Sequence, residues 1–245
     1  MLFRSNLYAA GCKSWKGAGA CRNKRCLVPS KCSALTLGYG QTLRLWKKAL
    51  AVPGVKHIFV GSGIRYDLAS GGDSDAYLKA LCSSHISGQL KVAPEHTERN
   101  VLALMSKPDF DVYEDFTRSF NETNDRLTKK QYLVNYFIIG HPGSGLSETL
   151  AMALKLESMG IRPEQVQDFI PLPMTISGCM YHTGADPFTG KCVYVPRGAR
   201  ERRLQRALIQ HNQPANKKYV IEALRILKKL NLAEKLLKDP WRKRR

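Results

Sequence analysis

Acids are scarce in this sequence of 245 residues: 20 Asp or Glu stand against 39 Lys or Arg, and the first 48 residues hold no acid at all. Long apolar runs are missing too. None approaches the ~20 residues that a membrane span needs, and the opening "MLFRSNLYAAG" has too short an apolar stretch for a signal peptide. These absences predict a soluble chain, cytoplasmic, with no membrane partner. A disulfide framework is not expected in a reducing compartment, and the odd number of cysteines, seven, agrees. The paired C-x₂-C of zinc ribbons does not occur. What is present in quantity is apolar residue, 43% of the chain, enough to bury a sizeable core and to exclude disorder throughout.

The surplus of bases lies at the ends. Residues 1–48 carry ten Lys or Arg, residues 197–206 contribute +4 and residues 217–245 contribute +8, which leaves −3 for the rest. A near-neutral body with basic ends suits RNA or another acidic partner, because Lys and Arg replace counterions along phosphates. A solvated helix face and a frayed tail, "PWRKRR", explain the same charges without a partner. Four of the cysteines, Cys12, Cys21, Cys26 and Cys32, fall within 21 residues beside Lys24, Arg25 and Lys31. Thiolates in a basic surrounding suit a tetrahedral Zn²⁺ site or an iron-sulfur cluster. Cys82, Cys179 and Cys192 are isolated and read as ordinary buried or surface thiols.

The body alternates short apolar runs with helical periodicity. "KHIFVGSG" (56–63), "GQLKVAPE" (88–95), "QYLVNYFIIGHPG" (131–143) and "QVQDFIPLP" (165–173) read as buried strands ending in Gly or Pro. Helices are predicted over 41–51, 73–84, 97–106, 110–126 and 146–159, and amphipathic ones over 199–210 and 216–238. Strand and helix in alternation predict parallel pairing with right-handed crossovers, hence the α/β class, with chemistry at the carboxyl ends of the strands. Those ends are polar here: "GSGIRYD", "APEHTERN", "GHPGSG" and "PLPMT". Adjacent parallel strands would bring Arg65, Asp67, Glu95, His96 and His141 to one rim. Each has a plainer alternative, Asp67 and Thr97 as helix caps and His141 as a turn residue.

Three blocks carry a resemblance: "GQLKVAPEHTERNVLALMSKPDFDVYEDF", "QYLVNYFIIGHPGSGLSETLAMALKLESMG" and "QVQDFIPLPMTISGCMYHTGADP". They resemble the later strands of a radical S-adenosylmethionine (SAM) domain. With "VKHIFVGSGIRYDLA" and "MYHTGADPFTGKCVYVPRGARERRLQRALIQ", the chain is similar to the YgiQ-like branch of radical SAM proteins over nearly all of residues 6–231. The resemblance implies a partial (β/α) barrel over 41–196, a cysteine-rich basic segment over 1–40 and a helical basic extension over 197–245. It also implies reductive cleavage of SAM at a 4Fe-4S cluster to a 5′-deoxyadenosyl radical. Carried over by position, Glu95 would accept ribose hydroxyls and Lys107 would lie near the SAM carboxylate. The fifth-strand acid falls on Tyr136, Gly140 and Gly143 belong to the turn backing the adenine, and Gln167 belongs to the sixth-strand motif with Pro171 and Pro173. Arg65 joins this set as a strand-end cation. The Glu that commonly follows the turn is replaced by Ser144 and Gly145.

The family's cysteine triplet, with gaps of three and then two residues, is absent; Cys21, Cys26 and Cys32 have gaps of four and five. In the family that triplet lies upstream of the segment matching Asn6. The expectation is a C-terminal fragment, inactive alone, whose Cys12, Cys21, Cys26 and Cys32 hold an auxiliary iron-sulfur cluster or zinc. "MLFRS" is also what ATG CTC TTC CGA TCT encodes, the end of a common sequencing adaptor, so the fragment is expected to be an assembly or gene-calling artefact; a longer upstream reading frame in a clean genomic read would support that idea, and a genuine start codon with its own ribosome site would sink it. The alternative expectation is a metal-stabilised nucleic-acid-binding module without catalysis.

Overall fold

The structure is a computed structural model and describes residues 8–10, 12–18, 21, 26–28, 30–69 and 74–237. The chain divides into two compact units, Met1–Pro94 with Pro108–Asn135, and Glu95–Lys107 with Tyr136–Arg245.

In the first unit, β1 (Tyr8–Ala10) is followed by α1 (Lys13–Ala18) and pairs antiparallel with β2 (Leu35–Leu37). Helix α2 (Tyr39–Leu50) packs on α3 (Ser74–Ala80), burying Trp46 against Tyr77, with ring centroids 5.5 Å apart. The expected helix over 73–84 changes pitch after Ala80 into a wider π turn, Leu81–His85, which sets the His85 ring 4.0 Å from Trp46. The unit's main strand, β3 (Gln89–Glu95), alternates buried Leu90 and Val92 with exposed Gln89 and Lys91, the period of a half-buried strand. The predicted strand 56–63 does not form a ladder. Val60 N–H donates to the His85 carbonyl, and Ile64 makes one parallel bridge to Val92. Gly61 and Gly63 offer no side chains to pack, and glycine in a strand interior weakens it.

Between the strands come α4 (Arg99–Leu104) and α5 (Phe110–Arg126). The latter coincides with the predicted 110–126 and presents Tyr113, Phe116 and Phe120, at helical spacing, to the first unit's core.

Strand β4 (Tyr132–Ile139) enters the second unit at Tyr136 and is followed there by α6 (Leu146–Ser158), β5 (Val166–Asp168) and α7 (Ile176–Thr183). Phe137–Ile139 of β4 pair in parallel with Val166–Asp168 of β5. The α/β class with parallel pairing therefore holds. β5 is only three residues long, shorter than the predicted 165–173, because Pro171 and Pro173 have no N–H to give a ladder. After α7, an unpredicted helix capped by the Thr175 hydroxyl and closed by left-handed Gly184, come α8 (Ala199–Ile209), α9 (Lys217–Ile226) and α10 (Ala233–Leu237). The single helix expected over 216–238 is thus broken, at Leu227–Leu232, where Lys228 takes a left-handed φ of 55° and a 3₁₀ turn follows. Helix α8 packs on α6, α9 and β5 and buries Leu204 and Leu208 with Leu224 of α9.

Candidate functional site

The carboxyl end of β4 runs into "GHPGSG", residues 140–145, all within the second unit. Two left-handed glycines make the turn, Gly140 with φ 74° and Gly143 with φ 89°. At Gly143 a side chain is excluded twice, by the backbone conformation and by space: a Cβ there would stand 2.4 Å from Leu104 Cδ1. Most backbone groups of the turn are engaged. Gly143 N–H donates to the Tyr194 carbonyl (2.7 Å), and Ser144 N–H to the His141 carbonyl (2.9 Å). The side chain of Gln205, wholly buried on α8, clamps both ends: its Oε1 accepts from Gly140 N–H at 2.8 Å and its Nε2 donates to the Ser144 carbonyl at 2.9 Å. Where the resemblance finds a Glu missing, Glu148 supplies a carboxylate, accepting from Gly145 N–H at 2.9 Å in the first turn of α6. An open groove of ≈ 780 Å³ borders the turn, lined among others by Gly143, Gly145, Glu148, Tyr194, Glu201 and Leu204. Across it the Tyr194 hydroxyl donates to Glu201 at 2.6 Å, and that carboxylate pushes the phenol up to about 12.

Behind the turn lie two buried histidines. His96 Nδ1 accepts from Glu98 N–H (3.1 Å), so the ring's proton sits on Nε2 and is donated to Ser144 Oγ (3.0 Å). His141 has the opposite tautomer: Nδ1–H donates to the Pro142 carbonyl (2.7 Å), and Nε2 accepts from the Ser177 hydroxyl (2.8 Å). Burial pushes His96 down to about 3, with the charge of His141 adding to it, and pushes His141 down to about 4. Both are neutral at physiological pH.

Glu95 takes a left-handed φ of 68°, a strained conformation for a residue with a side chain, of the kind found at functional sites. Its carboxylate meets Lys107 Nζ at 3.2 Å, and both side chains are largely covered. Two residues expected near SAM are therefore neighbours across α4. Tyr136 and Gln167 are also brought together: Gln167 is paired with Ile138, so Tyr136, Ile138 and Gln167 share the less buried face of β4 and β5. Arg65 lies in the first unit, where its Nε donates to Asp67 at 2.8 Å. Cys12, Cys21 and Cys32 are half-buried and Cys26 is exposed; Cys32 N–H donates to the Cys26 carbonyl at 2.8 Å. Among the described residues no three His, Cys, Asp or Glu come together as a metal site. Gln205, Ser177 and Tyr194 escaped the sequence reading; a Gln or a Ser inside an amphipathic helix gives no signal that it turns inward.

The model of a domain of unknown function, DUF3362, matches residues 164–233, from the start of β5 to the start of α10. The chain is similar to a UPF0313 protein of Methanosarcina acetivorans, 49% identical over 228 residues, covering 93% of this chain and 30% of the relative. It is similar to another from Methanosarcina mazei, 47% identical over 228 residues (93% and 36%), and to one from Geobacter sulfurreducens, 44% identical over 233 residues (95% and 38%). The chain spans about a third of the length of the curated relatives it matches.

Proposed function

We propose that this chain is the C-terminal part of a UPF0313-type protein of the radical SAM superfamily, in its YgiQ-like branch, whose reaction begins with cleavage of SAM. The observation that carries the reading is the "GHPGSG" turn at the end of a parallel strand, bordering an open groove of ≈ 780 Å³, a volume in the range of small-molecule sites. It is supported by the neighbouring Glu95–Lys107 pair, one carboxylate for ribose hydroxyls and one ammonium for the SAM carboxylate, and by the similarity to UPF0313 proteins about three times as long. Tyr136 and Gln167, on the open face of the sheet, complete the cofactor side. In this reading the sheet is the later part of a (β/α) barrel.

No C-x₃-C-x₂-C triplet occurs in this sequence, so its residues do not fit the radical-generating cluster and no step through that cluster is assigned to them. Cys12, Cys21, Cys26 and Cys32 are a different donor set. Four thiolates suit zinc or an auxiliary 4Fe-4S cluster, which would brace the segment beside the barrel. The test is a chimera of the Methanosarcina acetivorans protein in which this chain replaces the matching region, purified anaerobically. With SAM and dithionite it is expected to release 5′-deoxyadenosine and to hold about eight iron atoms, or about four iron atoms and one zinc, the second centre lost when the four cysteines become Ser. A parent that forms 5′-deoxyadenosine beside a folded chimera that does not would refute the assignment.

A further inference from the structure

Between Arg197 and Leu237 the sequence has eleven Lys or Arg and three Glu. Two of the acids are already engaged, Glu201 by the Tyr194 hydroxyl (2.6 Å) and Glu222 by Arg200 (2.7 Å). Some of the bases are engaged as well. Arg206 donates to the Val166 carbonyl and pairs with Asp168, and Arg197 reaches the carbonyls of Tyr181 and His182. The exposed remainder includes Arg203, Lys217, Lys218, Arg225, Lys228 and Lys229.

A merely solvated surface interleaves both signs, and a helix favours acids in its first turn and bases in its last. α9 keeps a base, Arg225, in its last turn but departs from the rule in its first. Lys217 and Lys218 open it, with no acid in the first turn, so two ammonium groups sit at the positive end of the helix dipole. Lys218 Nζ lies 4.9 Å from the centroid of the Tyr219 ring, and Arg203 of α8 approaches the same ring at 5.8 Å. Cations from two helices thus crowd one aromatic ring, while the Arg200–Glu222 pair and the buried Leu204, Leu208 and Leu224 fix α8 against α9. Repulsion built into a rigid pair of helices is relieved by a polyanion.

We propose that this face of α8 and α9 binds single-stranded RNA, with phosphates on Arg203, Lys217, Lys218 and Arg225 and a base stacked at Tyr219. Charge alone would serve an acidic protein or an anionic lipid surface equally. The tyrosine between cations is what matches a strand alternating phosphate with a flat base, since bases stack on aromatic rings and on guanidinium planes. This surface is argued from its own charges and stands apart from the radical SAM reading.

The test is fluorescence anisotropy of a labelled oligouridylate titrated with the full chain at several salt concentrations. Lys217→Gln with Lys218→Gln is expected to weaken binding and to lower the slope of log K against log salt by about 1.4. Tyr219→Ala is expected to weaken oligouridylate binding about tenfold while leaving heparin binding unchanged, and Tyr219→Phe to restore it. Melting curves of every variant establish that it is folded, and Tyr219→Leu, which keeps the packing volume, replaces Tyr219→Ala if the latter melts early. Absence of salt-sensitive binding overturns the proposal. So does an equal loss of heparin and RNA binding, which would mark an unspecific polyanion surface. Binding that ignores Lys217 and Lys218 but vanishes when Arg242, Lys243, Arg244 and Arg245 are neutralised would assign it to the tail and overturn the proposal as well.

Discussion

His96 and His141 stay neutral in the folded chain because each ring is enclosed and each nitrogen already has a partner that fits the uncharged form. Their folded values, about 3 and about 4, lie well below the 6.5 of an unfolded histidine. Between about pH 4 and 6.5 the unfolded chain therefore binds more protons than the folded one. Their contribution to stability is complete above about pH 6.5 and is lost as the pH falls towards 4, by about 1.4 kcal/mol per pH unit for each ring. Thermal melts from pH 6.5 to 4.5 should show a steep fall in midpoint that His141→Gln makes shallower; an unchanged slope in that variant would contradict the buried neutral assignment. The sequence marked His141 and His96 as strand-end residues, and a turn role for His141 was the plainer reading. Both readings hold in part: His141 does occupy the turn, and its partner Ser177 comes from α7, 36 residues on, a contact that no local pattern announces.

At the scale of elements, α8 matters more than its sequence suggested. Amphipathic periodicity identified the helix at 199–210, and its apolar side packs as expected. Its polar side, however, does structural work along the second unit: Gln205 clamps the glycine turn, Arg206 reaches the Val166 carbonyl, and Gln210 donates to the Glu164 carbonyl at 2.7 Å. A buried polar residue counts as polar in a periodicity pattern, so the clamp was invisible there. Gln205→Leu would leave Gly140 N–H and the Ser144 carbonyl buried without partners, and is expected to cost about 2–4 kcal/mol in urea unfolding. Gln205→Glu keeps the acceptor for Gly140 but sets a buried carboxylate against the Ser144 carbonyl and Glu201, so it should cost at least as much as the Leu variant. Equal stability of all three proteins would show that the clamp contributes nothing. Strand lengths were legible where side chains alternate, as in β3, and illegible where proline or glycine removed the ladder, as at 56–63 and after Asp168.

At the scale of the whole molecule, α/β alternation was legible because each apolar run differs in period from the helix after it. The division into two units was not, since residues 95–107 and 136–245 are separated in sequence by a segment of the other unit. That second unit holds Glu95, Lys107, Tyr136, Gly140, Gly143 and Gln167, every expected SAM-contacting residue except Arg65. The central claim is that these residues form a site for the adenosyl part of SAM. Its most direct measurement is calorimetric titration of the chain with S-adenosylhomocysteine, which carries the nucleoside and amino-acid groups and needs no cluster for reaction. The account predicts saturable binding, weakened about tenfold by Glu95→Ala through the lost ribose hydrogen bonds and abolished by Gly143→Ala, with both variants still folded by circular dichroism. Absence of binding by the folded chain, or binding indifferent to Glu95 and Gly143, would contradict it.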